Sequence, residues 1–123
     1  MTTKSFRDLH VWRRGIELTE AIYRVTATFP KQEMYGLSSQ LQRAAVSVPA
    51  NTAEGHGRDS TREYLHHLSY SMGSIAELET LLEIALRLKY VSSAAMSEIV
   101  QETTALGKMI RAIQKALRNP ADS

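Results

Sequence analysis

Apolar residues recur every three or four positions in four separate segments, and this spacing constrains the fold more than any other feature of the sequence. A period near 3.6 residues is typical of amphipathic helices, whereas strands alternate every second residue. In the third segment the series comprises Tyr64, Leu68, Ser71, Ile75, Leu78, Leu82 and Ala85. In the fourth segment it comprises Met96, Ile99, Thr103, Leu106, Ile110, Ile113 and Leu117. Four such helices joined by short links predict an all-α fold, an antiparallel up-and-down four-helix bundle.

Capping and breaking residues place the ends of these helices. Ser60 followed by Glu63 is spaced as a capping box, and so is Ser5 followed by Asp8. Pro30 closes the first periodic segment, Gly36 lies in the link to the second, Gly55 with Gly57 ends the second, and Asn119-Pro120 ends the last. We therefore expect one domain over residues 1–123, with helices at about 6–29, 38–55, 61–89 and 94–118.

The first helix carries two aromatic residues, Trp12 and Tyr23, in its apolar series. Core packing is the preferred interpretation over a ligand pocket, because aromatic side chains bury large areas wherever an apolar face needs filling. The expected buried face comprises Leu9, Trp12, Ile16, Thr19, Tyr23 and Thr26.

The second helix contains Pro49 in its interior. A proline there lacks the N–H that would bond to the carbonyl of Ala45, so it kinks or breaks a helix. A kink is the preferred interpretation, and the alternative is a break with a restart capped by Ser47. The start is expected at Ser38 or Ser39. The expected buried face has small residues and comprises Leu37, Leu41, Ala44, Ala45, Val48 and Thr52.

Composition narrows the class of protein. The chain is 43% hydrophobic and 23% charged, it has no cysteine, and its net charge is +2. The lack of cysteine excludes disulfide and thiolate chemistry and fits a reducing compartment. No segment approaches the ~20 apolar residues of a membrane helix, and residues 1–6 lack the apolar core of a secretory signal. We expect a cytoplasmic protein with no membrane contact.

The fourth helix carries a cationic stripe, which we define as Lys108, Arg111, Lys115 and Arg118. These residues follow three-four spacing, so they share one helix face, and Asp122 is the only acid between Thr103 and Ser123. One interpretation is a solvated face whose cations favour a helix C-terminus. The other is a set of phosphate contacts for nucleic acid. Arg13 and Arg14, near the start of the first helix, are further candidates for such contacts.

A second polar group occupies one narrow sector of the second helix. Its spacing favours a hydrogen-bonded network that ties this helix to a neighbour or to a second subunit, rather than a catalytic site. The third helix offers partners beside Gly73. The expected members are Arg43, Ser47, Asn51, Glu54, Arg58, Ser74 and Glu77.

Catalytic, metal and cofactor chemistry find little support. Glu63 and His66 form one Glu-x-x-His motif, but a di-iron bundle needs two such motifs and two further glutamates. Adjacent His66 and His67 point about 100° apart on a helix, which suits no zinc site. Ser47 has no histidine at helical spacing to activate it. The glycines at 55 and 57 follow no strand, so they indicate a helix end rather than a phosphate loop.

Several segments, taken in order, resemble a bacterial four-helix bundle family that includes the protein encoded in intervening sequences of large-subunit ribosomal RNA genes. The likeness covers about residues 5–118. Thr52 departs from it, since relatives often carry isoleucine there. The segments are Phe6-Arg7-Asp8-Leu9-His10-Val11-Trp12, Phe29-Pro30, Tyr35-Gly36-Leu37, Ser47-Val48-Pro49-Ala50-Asn51-Thr52-Ala53-Glu54-Gly55 and Gly73-Ser74-Ile75-Ala76-Glu77-Leu78-Glu79.

The resemblance implies a four-helix bundle that assembles as a homopentamer. A related family, the accessory variability protein of diversity-generating retroelements, forms a basic pentameric barrel that engages a reverse transcriptase and nucleic acid. That relative favours structured RNA or DNA, and a reverse transcriptase or other protein, as partners here. We expect a non-enzymatic, oligomeric nucleic-acid-binding protein. The alternative is a protein-interaction scaffold whose charges only keep it in solution.

Overall fold

The computed structural model describes residues 5–119, and within that range the secondary structure is entirely helical. The four main helices are α1 (His10–Thr26), α2 (Leu37–His56), α3 (Thr61–Arg87) and α4 (Ser93–Arg118). Two short 3-10 turns, Phe6–Asp8 and Lys31–Glu33, precede α1 and α2. The expectations for residues 1–4 and for Pro120 lie outside the described residues.

The helices form a four-membered ring. Helix α2 packs against both α1 and α3, and α4 closes the bundle by packing against α3 and α1. Helices that follow each other along the chain are neighbours joined by short links, as in an up-and-down bundle. The predicted four-helix bundle is confirmed. None of the helices in the described range is long and apolar enough to span a membrane.

The buried faces of α2, α3 and α4 follow the expected series. Leu41, Val48, Leu78, Leu82, Leu106 and Ile110 are among the fully buried side chains. The N-terminal caps of α3 and α4 are the serines that the sequence indicates. The Ser60 Oγ accepts a 3.1 Å hydrogen bond from the Glu63 N–H, and the Ser92 Oγ accepts one from the Ala95 N–H. Helices α3 and α4 therefore begin where the sequence places them.

The buried face of α1 differs from the prediction. Ile16 and Tyr23 are 38% and 48% exposed, so placing them in the core was wrong. Thr26 is buried as expected, and the other buried residues of α1 are Val11, Gly15, Leu18 and Ile22. That series also has three-four spacing, turned by about one residue, and it brings Gly15 against Pro49. An added Cβ at Gly15 would lie 3.0 Å from the Pro49 Cβ, so this position needs a small residue.

The first helix also starts later than expected. Leu9 is extended, with φ −77° and ψ 127°, and it separates the 3-10 turn from α1. The Ser5 Oγ accepts a bond from the Arg7 N–H at 3.1 Å, so it caps that turn rather than a helix starting near Phe6. The predicted capping box of Ser5 and Asp8 for α1 was wrong.

A carboxylate from the preceding link starts α2, not a serine. The Leu37 N–H donates to the Glu33 Oε1 at 3.2 Å, whereas Ser38 is buried. The Glu33 Oε2 also accepts a 3.1 Å bond from the Tyr90 hydroxyl, which joins this helix start to the α3–α4 link. Helix α2 then runs through Pro49 as one element, so it does not restart at Ser47.

Candidate nucleic-acid interface

The cationic stripe lies on the outer face of the second half of α4. All four of its side chains are exposed, because Leu106, Ile110 and Gln114 turn the opposite face of the helix into the core. Within residues 5–119 no carboxylate comes within 4.0 Å of these cations. The one side-chain bond is a long one of 3.4 Å, from Arg111 Nη1 to the Gln114 Oε1. The stripe therefore presents four cations to solvent.

The stripe runs beside the first half of α3. An added Cβ at Gly107 would lie 3.8 Å from the Met72 Cε, and the Thr103 hydroxyl donates to the Glu79 Oε2 at 2.6 Å. These two contacts show that α3 and α4 are antiparallel, so the end of α4 lies beside the start of α3. The residues from 108 to 118 lie alongside the first turns of α3.

The two arginines of α1 do not extend the stripe. Arg14 binds Glu102 on α4, with Nη2 3.0 Å and Nε 3.2 Å from the carboxylate Oε2. Glu102 precedes Arg111 by nine residues, which at about 100° per residue places it on the opposite flank of α4. Arg13 Nε donates to the Arg7 carbonyl at 3.0 Å. Arg14 thus clamps α1 to α4, on the flank away from the stripe.

Part of the expected polar network exists between α2 and α3. The hydroxyls of Ser47 and Ser74 lie 2.7 Å apart, and Asn51 Nδ2 donates to the Ser47 Oγ at 3.0 Å. Asn51 Oδ1 lies 3.0 Å from His67 Nδ1, and the Glu54 Oε2 is 3.9 Å from the same nitrogen. His67 is the member that sequence reasoning missed, because its partner lies on another helix.

Three expected members are outside this network. The side chains of Arg43, Arg58 and Glu77 are exposed and make no hydrogen bond or ion pair with other residues in the described range. Arg58 lies beyond the last residue of α2, and Arg43 and Glu77 lie on solvent-exposed positions of α2 and α3. Within one copy of the chain the network therefore joins Ser47, Asn51 and Glu54 of α2 to Ser74 and His67 of α3, and a place at a subunit interface stays a prediction for the exposed members.

The two ends of the bundle differ in charge. If each helix is divided at its midpoint, residues 5–18, 47–74 and 106–119 form the end of the bundle that holds the stripe. This end carries nine lysines and arginines against five carboxylates, whereas the other end carries five against seven. The stripe therefore lies at the positive end of the molecule.

The chemistry available at this surface is electrostatic. No group of three or more His, Cys, Asp or Glu side chains placed to hold a metal ion occurs within 5–119. The Ser47 hydroxyl bonds to Ser74 and Asn51. Arginine and lysine on an open helix face can hold phosphate groups, as bidentate forks and as point charges respectively.

Comparison with known proteins identifies relatives. The family model described as 23S rRNA-intervening sequence protein matches residues 7–112. No curated protein matches the chain. Among solved structures the chain is similar to a protein with unknown function from the S23 ribosomal protein family of Bacteroides thetaiotaomicron VPI-5482, with a TM-score of 0.77 and 23% sequence identity. That match covers 85% of this chain and 98% of the other, and it supports the fold alone.

Proposed function

Because the chain belongs to the 23S rRNA-intervening sequence protein family, as its motifs predicted, we propose that it is a non-enzymatic, oligomeric protein that binds structured RNA or DNA. RNA is the preferred ligand, since the family is named for an RNA. The observation that carries the proposal is the stripe of four exposed cations on α4 with no carboxylate beside them in the described residues. Lys108, Arg111, Lys115 and Arg118 are the phosphate contacts.

The stripe suits a nucleic-acid backbone in length and in chemistry. Its ten-residue span along a helix is about 15 Å, at ~1.5 Å per residue. Contacts to phosphates set affinity and orientation but read no base sequence. The proposed protein therefore recognises the shape and charge of its ligand, and its affinity falls steeply with salt.

Assembly is the second part of the proposal. Three exposed apolar side chains, Ile16, Tyr23 and Val46, lie where α1 meets α2. The contact between the two helices here is the 3.2 Å hydrogen bond from the Thr19 hydroxyl to the Ala45 carbonyl. Ile16 and Tyr23 are one turn before and after Thr19, and Val46 is next to Ala45. Covering this face with another copy would remove apolar surface from water. We propose a homopentamer, in line with the resemblance, which would repeat the stripe five times. Light scattering that gives a monomer mass at micromolar concentration would refute the proposed pentamer.

The same apolar face supports a rival function. A protein-interaction scaffold would use Ile16, Tyr23 and Val46 to receive a different protein, such as a reverse transcriptase, with no nucleic-acid contact. In either case we place the protein in the cytoplasm, which a cysteine-free sequence favours.

A salt series separates the two functions. Wild type should bind a structured RNA with a log–log salt slope of roughly −3 to −4, as expected for about four phosphate contacts. Replacing all four stripe residues by glutamate should abolish measurable binding at moderate salt. The matched control replaces four exposed cations at the other end of the bundle, Arg24, Lys31, Arg43 and Lys89, by glutamate.

Both variants change the net charge equally, so only the position of the charges differs. The control should keep most of the affinity and the slope of wild type. Equal losses in both variants would mean that overall charge, and not the stripe, attracts RNA. Failure of wild type to bind at low salt would leave the scaffold as the function.

A further inference from the structure

A cleft of about 250 Å³ opens at the start of α3, beside the end of α2. Neither the cationic stripe nor the bundle core uses it. Its volume is below the ~300–1,000 Å³ of pockets for drug-sized ligands, so it suits one nucleotide-sized group rather than a folded segment. The lining residues are Arg58, Arg62, Glu63, His66, His67 and Tyr70.

The cleft is cationic and its cations are available. Arg58 and Arg62 are exposed, and no carboxylate of the described chain comes within 4.0 Å of either guanidinium. Glu63 is the single acid in the lining, so the two arginines outnumber it. An arginine fork matches the oxygen geometry of a phosphate group and can bind it through two parallel hydrogen bonds.

The cleft also offers an aromatic surface. Tyr70 is 52% exposed, and its ring is met at 87° by the imidazoles of His66 and His67, with centroids 5.1 Å and 5.8 Å away. His67 is itself held in place, because its Nδ1 lies 3.0 Å from the Asn51 Oδ1. The wall of the cleft is thus anchored to α2, while Tyr70 remains open to solvent.

An aromatic ring beside two arginines is the combination that binds unpaired nucleotides. Exposed aromatic side chains stack on nucleobases, and neighbouring arginines hold the phosphates on either side of the base. We propose that this cleft binds one unpaired nucleotide of RNA, with its base on Tyr70 and its phosphates at Arg58 and Arg62. The inference rests on the proposed function and adds a second kind of contact to it.

The position of the cleft fits one RNA that reaches both sites. Arg62 lies in the first turn of α3, and the last turns of α4, with the stripe, run beside that part of α3. A paired stem lying along the stripe can therefore place an adjoining unpaired loop at Tyr70. The preferred ligand combines a short duplex with unpaired bases.

The test compares two RNAs on four proteins by fluorescence anisotropy. One RNA is a hairpin with an unpaired loop, and the other is a fully paired duplex of the same length. The proteins are wild type, Tyr70→Ala, Tyr70→Phe and Tyr35→Ala. Tyr35 is a suitable control because it is 91% exposed and lies in the link before α2.

Wild type should prefer the hairpin. Tyr70→Ala should weaken hairpin binding by about 5- to 150-fold, the range for losing one stacked base, and should leave duplex binding unchanged. Tyr70→Phe and Tyr35→Ala should bind the hairpin like wild type, since the first keeps a ring for stacking and the second is remote. The Phe variant also controls for folding, because it keeps the contacts of the ring with His66 and His67.

Each result decides between the two levels of the proposal. Hairpin binding that is unchanged in Tyr70→Ala would overturn the cleft and leave the stripe as the interface. Equal wild-type affinity for hairpin and duplex would do the same. Failure of wild type to bind either RNA would overturn the proposed function and the cleft with it.

Discussion

Gly55 lies inside α2, at the point where the end of this helix crosses the start of α3. A Cβ added at this position would be 2.8 Å from the His67 Cβ and 2.9 Å from the Tyr64 Cδ1. Carbon atoms in contact prefer about 3.5–4.0 Å, and neither of these atoms is the free end of a flexible side chain. Replacing Gly55 by alanine therefore forces the two helices apart.

The size of the effect follows from two opposing contributions. Alanine in a helix interior is more stable than glycine by about 1 kcal/mol, whereas overpacking costs about 1–3 kcal/mol. Gly55→Ala should lower the free energy of unfolding by about 0–2 kcal/mol. Gly73→Ala is the matched control, because Gly73 is also inside a helix but a Cβ there meets nothing within 4 Å. It should gain about 1 kcal/mol.

Urea unfolding followed by circular dichroism measures both variants. With a slope of about 2 kcal/mol per molar urea, Gly73→Ala should raise the midpoint by about 0.5 M and Gly55→Ala should lower it or leave it unchanged. All samples need the same protein concentration, since an oligomer unfolds in a concentration-dependent way. An equal gain in the two variants would refute the close approach at Gly55.

Three further expectations follow from the helix ends and the tyrosines. Lys89 has φ 66° in the Schellman turn that ends α3, a backbone conformation that glycine adopts without a steric penalty. In thermal melts, Lys89→Gly should therefore raise the free energy of unfolding by about 0.5–1 kcal/mol. Lys89→Ala should give no such gain, because alanine keeps the Cβ. Burial raises the pKa of Tyr64 above its ordinary value of 10.0, so the neutral phenol stabilises the folded state below pH 10.0, and this stabilisation is lost as the pH rises through the folded-state pKa. Tyr64→Phe has no phenol to ionise. Its urea midpoint should therefore fall less steeply than that of wild type above pH 10.0. The hydrogen bond from Tyr90 to Glu33 raises the pKa of Tyr90, and an ultraviolet titration of Glu33→Gln should show it returning towards 10.0.

The helices were predictable where one apolar face dominates. Helices α3 and α4 each carry a single long series and a serine cap, so their starts and buried faces agree with the structure. In α1 two apolar series compete, one through Ile16 and one through Leu18. The series through Leu18 is the one that the structure buries, and it contains Gly15, which has no hydrophobic side chain to indicate burial. Its place in the core depends on contact with Pro49, and sequence spacing does not reveal contacts between helices.

The candidate site was predictable only within one helix. The four residues of the stripe share a face because of their spacing, and the structure exposes all of them. Which residues of α2 meet α3 depends on how the two helices are aligned, so the part that His67 plays in the network was missed. The ion pair of Arg14 was not predictable either, since its partner Glu102 lies 88 positions along the chain on another helix.

The unequal charge of the two bundle ends gives the molecule a direction. A polyanion is drawn to one pole and repelled from the other, so encounters are oriented before any contact forms. In a ring of copies whose symmetry axis runs along the bundles, rotation carries every positive pole to the same side. Such a ring would have one cationic rim and one acidic rim, and it would seat an RNA on a single face.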